Sequence, residues 1–302
     1  MIHATTTRFR TYLGERFKPG QYLAFAMMMF AAGYTLTRNV AQAKGDAPII
    51  IVGVITLYLT FFRLRAFDEM KDVDIDNRLH PNRPVQRGIV TLNELAIAAM
   101  VAVMIEISLN LMLGRGALIL YAALMTFTLL MFKEFFVRDW LRTDIFLYAT
   151  THVTALGLCG VYAYLLWPMT THNPISTTPV VLYGASCYLL GLLFEMTRKM
   201  PSTTDERSGV PSFTKRFGTT GAWLLVGVLT ITAGLCLLGL TIVKESTPWF
   251  SLPTFLMGAT IVLIAAIAPK AFSRVPTHRA PQIGSAIITT TLCMIVLLGV
   301  VG

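Results

Sequence analysis

The chain has 302 residues, 55% of them hydrophobic and 14% charged, with a mean hydropathy of +0.64. That excludes a soluble domain of ordinary composition and implies an all-α integral membrane protein. The formal charge of +9 is spread over the segments between apolar runs, which argues against nucleic acid as a partner.

In chain order, the first twenty or so residues are basic and polar, with no apolar signal core or small-residue cleavage site, so the first membrane helix is expected to direct insertion. Runs of about twenty residues, long enough to cross about 30 Å of hydrocarbon, can be placed about nine times. They are Tyr22 to Val40, Pro48 to Phe67, Ile89 to Leu113, Ala117 to Phe136, Ile145 to Trp167, Pro179 to Met196, Thr220 to Val243, Trp249 to Ala268 and Ile283 to Val301. Thr91-Leu92-Asn93-Glu94 has the form of a capping box. Pro48, Pro179, Pro248 and Pro281 stand where a first-turn proline is tolerated. Cys159, Cys187, Cys236 and Cys293 fall inside apolar runs without metal-ligand spacing and read as small buried hydrophobes. With nine spans, all of the 25 Lys and Arg except Arg38, Lys44, Arg115 and Lys244 fall on one side. This asymmetry places the N-terminus and both large polar loops in the cytoplasm and the C-terminus on the opposite side. No linker or second soluble domain is visible, so residues 1–302 read as a single polytopic membrane domain, with its chemistry in loops at about 63–88 and 195–218.

The first of these loops reads RLRAFDEMKDVDIDNRLHPNRPVQRG, from Arg63 to Gly88. Asp68, Asp72 and Asp76 stand at i, i+4 and i+8, so a helix running on from the preceding span would stack three carboxylates on one face. Each like-charge pair at that spacing costs roughly 0.2–0.5 kcal/mol, which a bridging divalent cation would more than offset. Mg²⁺ suits such a place because it takes oxygen ligands and shares one or two carboxylates with substrate phosphates. Arg63, Arg65, Lys71, Arg78, Arg83 and Arg87 surround the acids. A bare cation site does not want six positive neighbours, whereas a metal-bound diphosphate does. The bland alternative, a solvated cytoplasmic loop, accounts for the bases but not for the spacing of the acids.

The second loop follows FEMTRK at the end of the sixth run. Glu195, Arg198 and Lys199 share a helix face at i, i+3 and i+4, and Asp205 and Glu206 come after Pro201. An i,i+4 ion pair explains the first three by themselves. Taken with the first loop, the segment reads as the opposite wall of one diphosphate site, with Glu195 and Asp205 on a second metal and Arg198 and Lys199 on the phosphates. At membrane depth, Glu106 and His152 stand out, since ionisable residues there are functional candidates. A hydrogen bond from Glu106 to Asn110, one turn on, and a packing role for His152 among Thr150, Thr151 and Thr154 are the structural alternatives.

These residues resemble the UbiA superfamily of intramembrane prenyltransferases. The run from Asp68 to Asp76 resembles its first aspartate motif, D-x-x-x-D-x-x-x-D, and Pro81-Asn82-Arg83-Pro84-Val85-Gln86-Arg87-Gly88 resembles P-x-R-P-x-x-R-G. Asp205 to Gly218 resembles the second motif, with D-x-x-x-G-V-x-S and a closing Phe-Gly. The resemblance implies one helical bundle around a central lipid-accessible cavity capped by the two loops, Mg²⁺ held by both motifs, and ionisation of an allylic prenyl diphosphate. On that reading Asp68, Asp72, Asp76, Glu195 and Asp205 are the catalytic metal ligands, and Lys71, Arg78, Arg83, Arg87, Arg198 and Lys199 bind the diphosphate. The chain differs from the family where Arg65-Ala66-Phe67 precedes the first motif without an Asn. The second motif has no clean D-x-x-x-D, and Met131 to Phe136 replaces a Y-x-x-K-R segment. Transfer of the prenyl group to a small lipophilic or aromatic acceptor is the leading expectation. Cyclisation without an acceptor, as in UbiA-type terpene cyclases, is the alternative. A transporter, which would carry its charges at the bilayer midplane, ranks behind both.

Overall fold

The computed structural model describes residues 2–38, 44–201, 206, 210–276 and 278–301. Val40, at the end of the first expected span, and Asp205, Arg207, Ser208 and Gly209 of the second loop lie outside them. The described residues form helices and contain no strand: α1 (Ile2–Tyr12), α2 (Pro19–Thr37), α3 (Ala47–Lys71), α4 (Val73–Leu79), α5 (Leu92–Leu113), α6 (Arg115–Phe132), α7 (Arg138–Leu141), α8 (Ile145–Thr171), α9 (Thr177–Arg198), α10 (Phe213–Val243), α11 (Leu252–Ile267), α12 (Pro269–Ser273) and α13 (Arg279–Val301). Seven of them, α3, α5, α6, α8, α9, α10 and α13, are long and apolar enough to cross a membrane. The two other expected spans coincide with α2 and with α11, which has 16 residues. The protein is an integral membrane protein. Its chain divides into two compact units, Met1–Phe30 with Lys44–Phe135 and Ala31–Ala43 with Phe136–Gly302, so the division falls inside α2.

In the first unit α3, α5 and α6 pack together. The capping box forms as expected, with the Thr91 side chain accepting from the Glu94 amide and Glu94 accepting from the Thr91 amide. It starts α5 at Leu92, three residues after the expected Ile89. Along α5 the buried stripe is Leu95, Ala99, Ala102, Glu106 and Asn110, whereas Ile97, Met100, Met104 and Leu111 are exposed. Small and polar side chains thus face the neighbouring helices and large apolar ones face outward, the pattern of a helix in lipid.

Glu106 accepts from Thr60 Oγ1 (2.7 Å), Tyr121 Oη (3.0 Å) and Arg63 Nε (3.2 Å), while Arg63 Nη1 donates to Thr128 Oγ1 (2.6 Å). Both charged side chains are wholly buried. Arg63 therefore differs from its expected place among the bases around the acids: it lies in the span, because a carboxylate in hydrocarbon needs a partner at its own depth. Asn110 does bond to Glu106, but through the Glu106 main-chain oxygen (2.8 Å), and it also donates to Thr56 (3.0 Å).

The N-terminal segment is bolted to the first charged loop. α1 passes into a π-helical turn over Leu13–Phe17 that ends at Lys18 in left-handed conformation (φ 46°). Tyr12 is buried among Ala66, Phe67, Val90, Leu95 and Ala99. Burial first, and then the Glu69 carboxylate, pushes its phenol well above the ordinary tyrosine value. Phe17 stacks on Tyr22, with centroids 4.3 Å apart. Arg8 pairs with Glu94, and its Nε donates to Ile89 O (2.9 Å).

α6 ends at Phe132, four residues short of the expected Phe136. Glu134, Phe135 and Phe136 all take positive φ (49°, 52° and 60°), which stops the helix although the sequence stays apolar.

In the second unit α9 packs against α8, α10 and α13, and α10 against α11. Small residues sit at the closest approaches. A Cβ on Gly258 of α11 would stand 2.9 Å from Ile231 N and 3.1 Å from Gly227 O of α10, which are backbone atoms that no side-chain rotation can clear. Gly258→Ala is expected to cost about 1–3 kcal/mol, read as a lowered thermal unfolding midpoint in detergent. Cys159 and Cys187 are buried and Cys236 and Cys293 partly so.

Candidate active site

The first charged segment sits where α3 ends. The Asp72 N–H donates to Asp68 O (3.0 Å), Asp76 N–H to Asp72 O (2.8 Å) and His80 N–H to Asp76 O (2.8 Å). The expected fourfold register of the three acids therefore persists along the main chain, although Asp72 itself (φ −102°, ψ 10°) separates α3 from α4. Their side chains differ. Asp68 is 45% exposed, with Lys71 Nζ at 3.1 Å, whereas Asp76 is buried and held by Arg83. Arg78 is exposed, and its Nε donates to Asp74 O (3.3 Å). Arg87 pairs with Glu15 of the N-terminal segment (2.9 Å).

Fourfold spacing draws attention to the aspartates and away from Glu69, yet Glu69 is the most buried acid of the segment. Its Oε1 takes Arg16 Nε (2.7 Å) and Arg65 Nη2 (2.6 Å). The Arg65–Glu69 pair at i,i+4 is legible in the sequence, but the Arg16 contact, 53 residues away, carries no local signal.

In the second unit Glu195 lies in the last turn of α9. It accepts from Arg198 Nε (3.1 Å) and Nη2 (2.7 Å) and pairs with Lys199 Nζ (2.7 Å). The three residues thus share the face that their spacing implied. Asp205 lies outside the described residues. Glu206 accepts from Thr214 Oγ1 (2.5 Å) and Ser212 Oγ (3.4 Å), and the Ser212 hydroxyl in turn caps α10 by accepting from the Lys215 N–H (3.2 Å). Within α10, Gly218 takes φ 69°, a left-handed value open to glycine at little cost, and breaks the helix at the Phe-Gly pair.

Asp144 and Arg216 also escaped the sequence reading. Asp144 caps α8, accepting from the N–H groups of Phe146 (2.8 Å) and Leu147 (3.1 Å), and takes Arg216 Nε at 2.5 Å. The Arg216 hydrogen bond, followed by those of the two amides, holds its carboxyl below the ordinary aspartate value. A depressed value contributes stability that is complete above the unfolded value of about 3.9 and is lost as pH falls below it through the folded one. Asp144→Asn is therefore expected to flatten the fall of the thermal midpoint on acidification below about pH 4.

The donors suit a hard cation such as Mg²⁺. They are all carboxylate oxygens, guanidinium and ammonium groups beside them can neutralise phosphate, and Asp68 is open to solvent. Among the described residues no three His, Cys, Asp or Glu side chains converge on one point.

Two solved structures share the fold. A digeranylgeranylglyceryl phosphate synthase in membranes superposes with a TM-score of 0.66 at 16% identity, covering 98% of this chain and 100% of its own. The apo form of a UbiA homologue from Aeropyrum pernix K1 gives 0.68 at 18% identity, covering 92% and 98%. No curated protein matches the chain by sequence. The model of the UbiA prenyltransferase family matches residues 26–281, which include both charged segments. The chain belongs to the UbiA prenyltransferase family.

Proposed function

We propose that residues 1–302 act as one membrane domain that binds an allylic prenyl diphosphate with Mg²⁺ and transfers its prenyl group to a small lipophilic or aromatic acceptor. One observation carries the reading. In this member of a prenyltransferase family, the acids at the ends of α3 and α9 are already paired with cations, Lys71 on Asp68 and both Arg198 and Lys199 on Glu195. Cations so placed can pass from carboxylate to phosphate oxygens with little rearrangement.

On this proposal Asp68, Asp72 and Asp76 would hold one Mg²⁺ and Glu195 and Asp205 a second, and both charged segments face the cytoplasm. When bound with the diphosphate, Mg²⁺ supplies neutralisation of charge on the leaving group. Lys71, Arg78, Arg198 and Lys199 bind and orient the phosphates and take up the negative charge as the C–O bond breaks. Arg83 and Arg87 join them by exchanging Asp76 and Glu15 for phosphate oxygens. The isoprenoid tail stays among apolar side chains, where each buried CH₂ contributes about 0.8 kcal/mol. The bond between C1 and the diphosphate oxygen breaks with its electron pair leaving on the diphosphate, and the acceptor's nucleophile forms the new bond to C1.

A second reading, cyclisation without an acceptor, is favoured by the segment that stands in place of Y-x-x-K-R. Here Lys133 lies over the Phe132 ring (5.4 Å) and Glu134 to Phe136 form a left-handed turn. Purified protein incubated with Mg²⁺ and farnesyl or geranylgeranyl diphosphate tests both. Release of pyrophosphate supports an ionising enzyme, a prenylated acceptor supports transfer, and a cyclic hydrocarbon formed without acceptor replaces transfer by cyclisation. No pyrophosphate from any allylic chain length would remove both.

A further inference from the structure

One side of the first two turns of α8 is polar. Tyr148, Thr151 and His152 stand at i, i+3 and i+4. The Thr151 hydroxyl is satisfied by its own helix, bonding to Leu147 O (3.0 Å) and Tyr148 O (2.9 Å). The two rings are arranged differently. His152 lies flat on Tyr148, with centroids 3.8 Å apart and planes 16° from parallel. Lys199 Nζ stands over the Tyr148 ring at 5.7 Å from its centroid and pairs with Glu195. A stack of ammonium, phenol and imidazole thus leads from the second charged segment to a point one helical turn, about 5.4 Å, deeper along α8. His152 as a whole is partly buried, while its Nε2 is shut off from bulk solvent. An ionisable ring at this depth is costly against lipid, so such side chains face a polar or substrate-filled space.

His152 Nδ1 lies 2.8 Å from Tyr148 O and 3.2 Å from Thr151 Oγ1. The carbonyl oxygen can only accept, so the shorter contact favours the tautomer with the hydrogen on Nδ1. The neutral ring then keeps its basic lone pair on Nε2.

We infer that His152 is the base that takes the proton released when the prenyl cation is captured. The inference rests on the function proposed above and specifies a residue for its last step. The C1–O bond breaks and its electron pair leaves with the diphosphate, beside Lys199. The acceptor's lone pair or π pair forms the bond to C1, and the acceptor's proton passes to His152 Nε2, leaving a neutral product and an imidazolium. In a cyclisation the same nitrogen takes a proton from the carbon next to the final cation, and that C–H electron pair becomes the new double bond.

The test uses the full chain in lipid nanodiscs with Mg²⁺ and geranylgeranyl diphosphate, with a polar-lipid extract as the acceptor source. Pyrophosphate and prenyl products are counted in the same reaction. His152→Asn keeps a donor for the Tyr148 carbonyl but has no basic nitrogen. It is expected to lower coupled product per pyrophosphate about 100-fold, with prenyl alcohol from water capture in its place. An unchanged ratio overturns the assignment. Should pyrophosphate and product vanish together in the Asn variant, imidazole added to His152→Ala decides: return of the product supports the base, and no return overturns it. Absence of pyrophosphate from the unmodified protein would instead count against the function itself.

Discussion

Asp72→Ala is expected to lower pyrophosphate release by about 100- to 1,000-fold, the scale seen when one preorganised stabiliser of developing charge is removed, while the protein stays folded. The asymmetry follows from where Asp72 sits. Its amide and carbonyl carry the i→i−4 bonds that link Asp68 to Asp76, and alanine leaves both in place. Its side chain makes no capping bond to α4, and the residue is only partly buried. The variant therefore removes a carboxylate from the proposed metal ligands and leaves the helical main chain in place. The measurement is pyrophosphate release over a Mg²⁺ series, paired with a thermal unfolding midpoint. Near-normal turnover would remove Asp72 from the metal ligands, and an unfolded variant would show that its role is structural.

The largest effect on stability is expected at Glu106. Glu106→Ala strands the Arg63 guanidinium, 0% exposed, and leaves it hydrogen-bonded to the Thr128 hydroxyl. Breaking a buried pair in this way costs about 3–5 kcal/mol. Thr60 and Tyr121 lose their acceptor in the same step. The double variant Arg63→Met, Glu106→Leu removes both charges and fills the space, and it is expected to recover most of the loss, as replacements of buried pairs by apolar residues do. Denaturation of the two variants in the same detergent compares them directly. A double variant as unstable as the single one would show that the hydroxyl network, not the stranded charge, sets the cost. If the pair is purely a strut, the double variant also keeps its pyrophosphate release.

The sequence showed some of these features and hid others for physical reasons. The ends of helices were legible where local chemistry sets them. The Thr91–Glu94 box starts α5, Pro48 stands in the first turn of α3, and the fourfold aspartates carry the helical register to His80. α6 was misjudged because apolar Phe135 and Phe136 extend the hydrophobic run, while the backbone at Glu134 to Phe136 turns left-handed. Hydropathy reads side chains and cannot register that turn. The pairing of Glu195 with Arg198 and Lys199 followed from helical spacing alone. The Arg63–Glu106 pair, 43 residues apart, did not, and Asn110 at one turn's distance drew the eye instead. The same holds for the clamp of Arg16 on Glu69 and for Arg216 on Asp144, 72 residues apart. Contacts of that range become visible only when the helices are packed.

These hidden contacts bear on the proposed chemistry. Arg83 and Arg87, assigned to phosphate by motif, rest on Asp76 and Glu15. Each is a guanidinium already held in place by a carboxylate, so its transfer to phosphate exchanges one charge-assisted bond for another. The N-terminal segment, which carries Glu15 and Arg16, is thereby tied to the acidic motif.

The central proposal is that residues of both charged segments bind one diphosphate. The most direct measurement is the affinity of a non-ionisable prenyl thiodiphosphate, with Mg²⁺, for the unmodified protein, for Asp72→Ala and for Lys199→Ala. Loss of either charged contact is expected to weaken binding at least about tenfold, the equivalent of about 1.4 kcal/mol. Unmodified affinity in either variant, with the other weakened, would contradict a shared ligand.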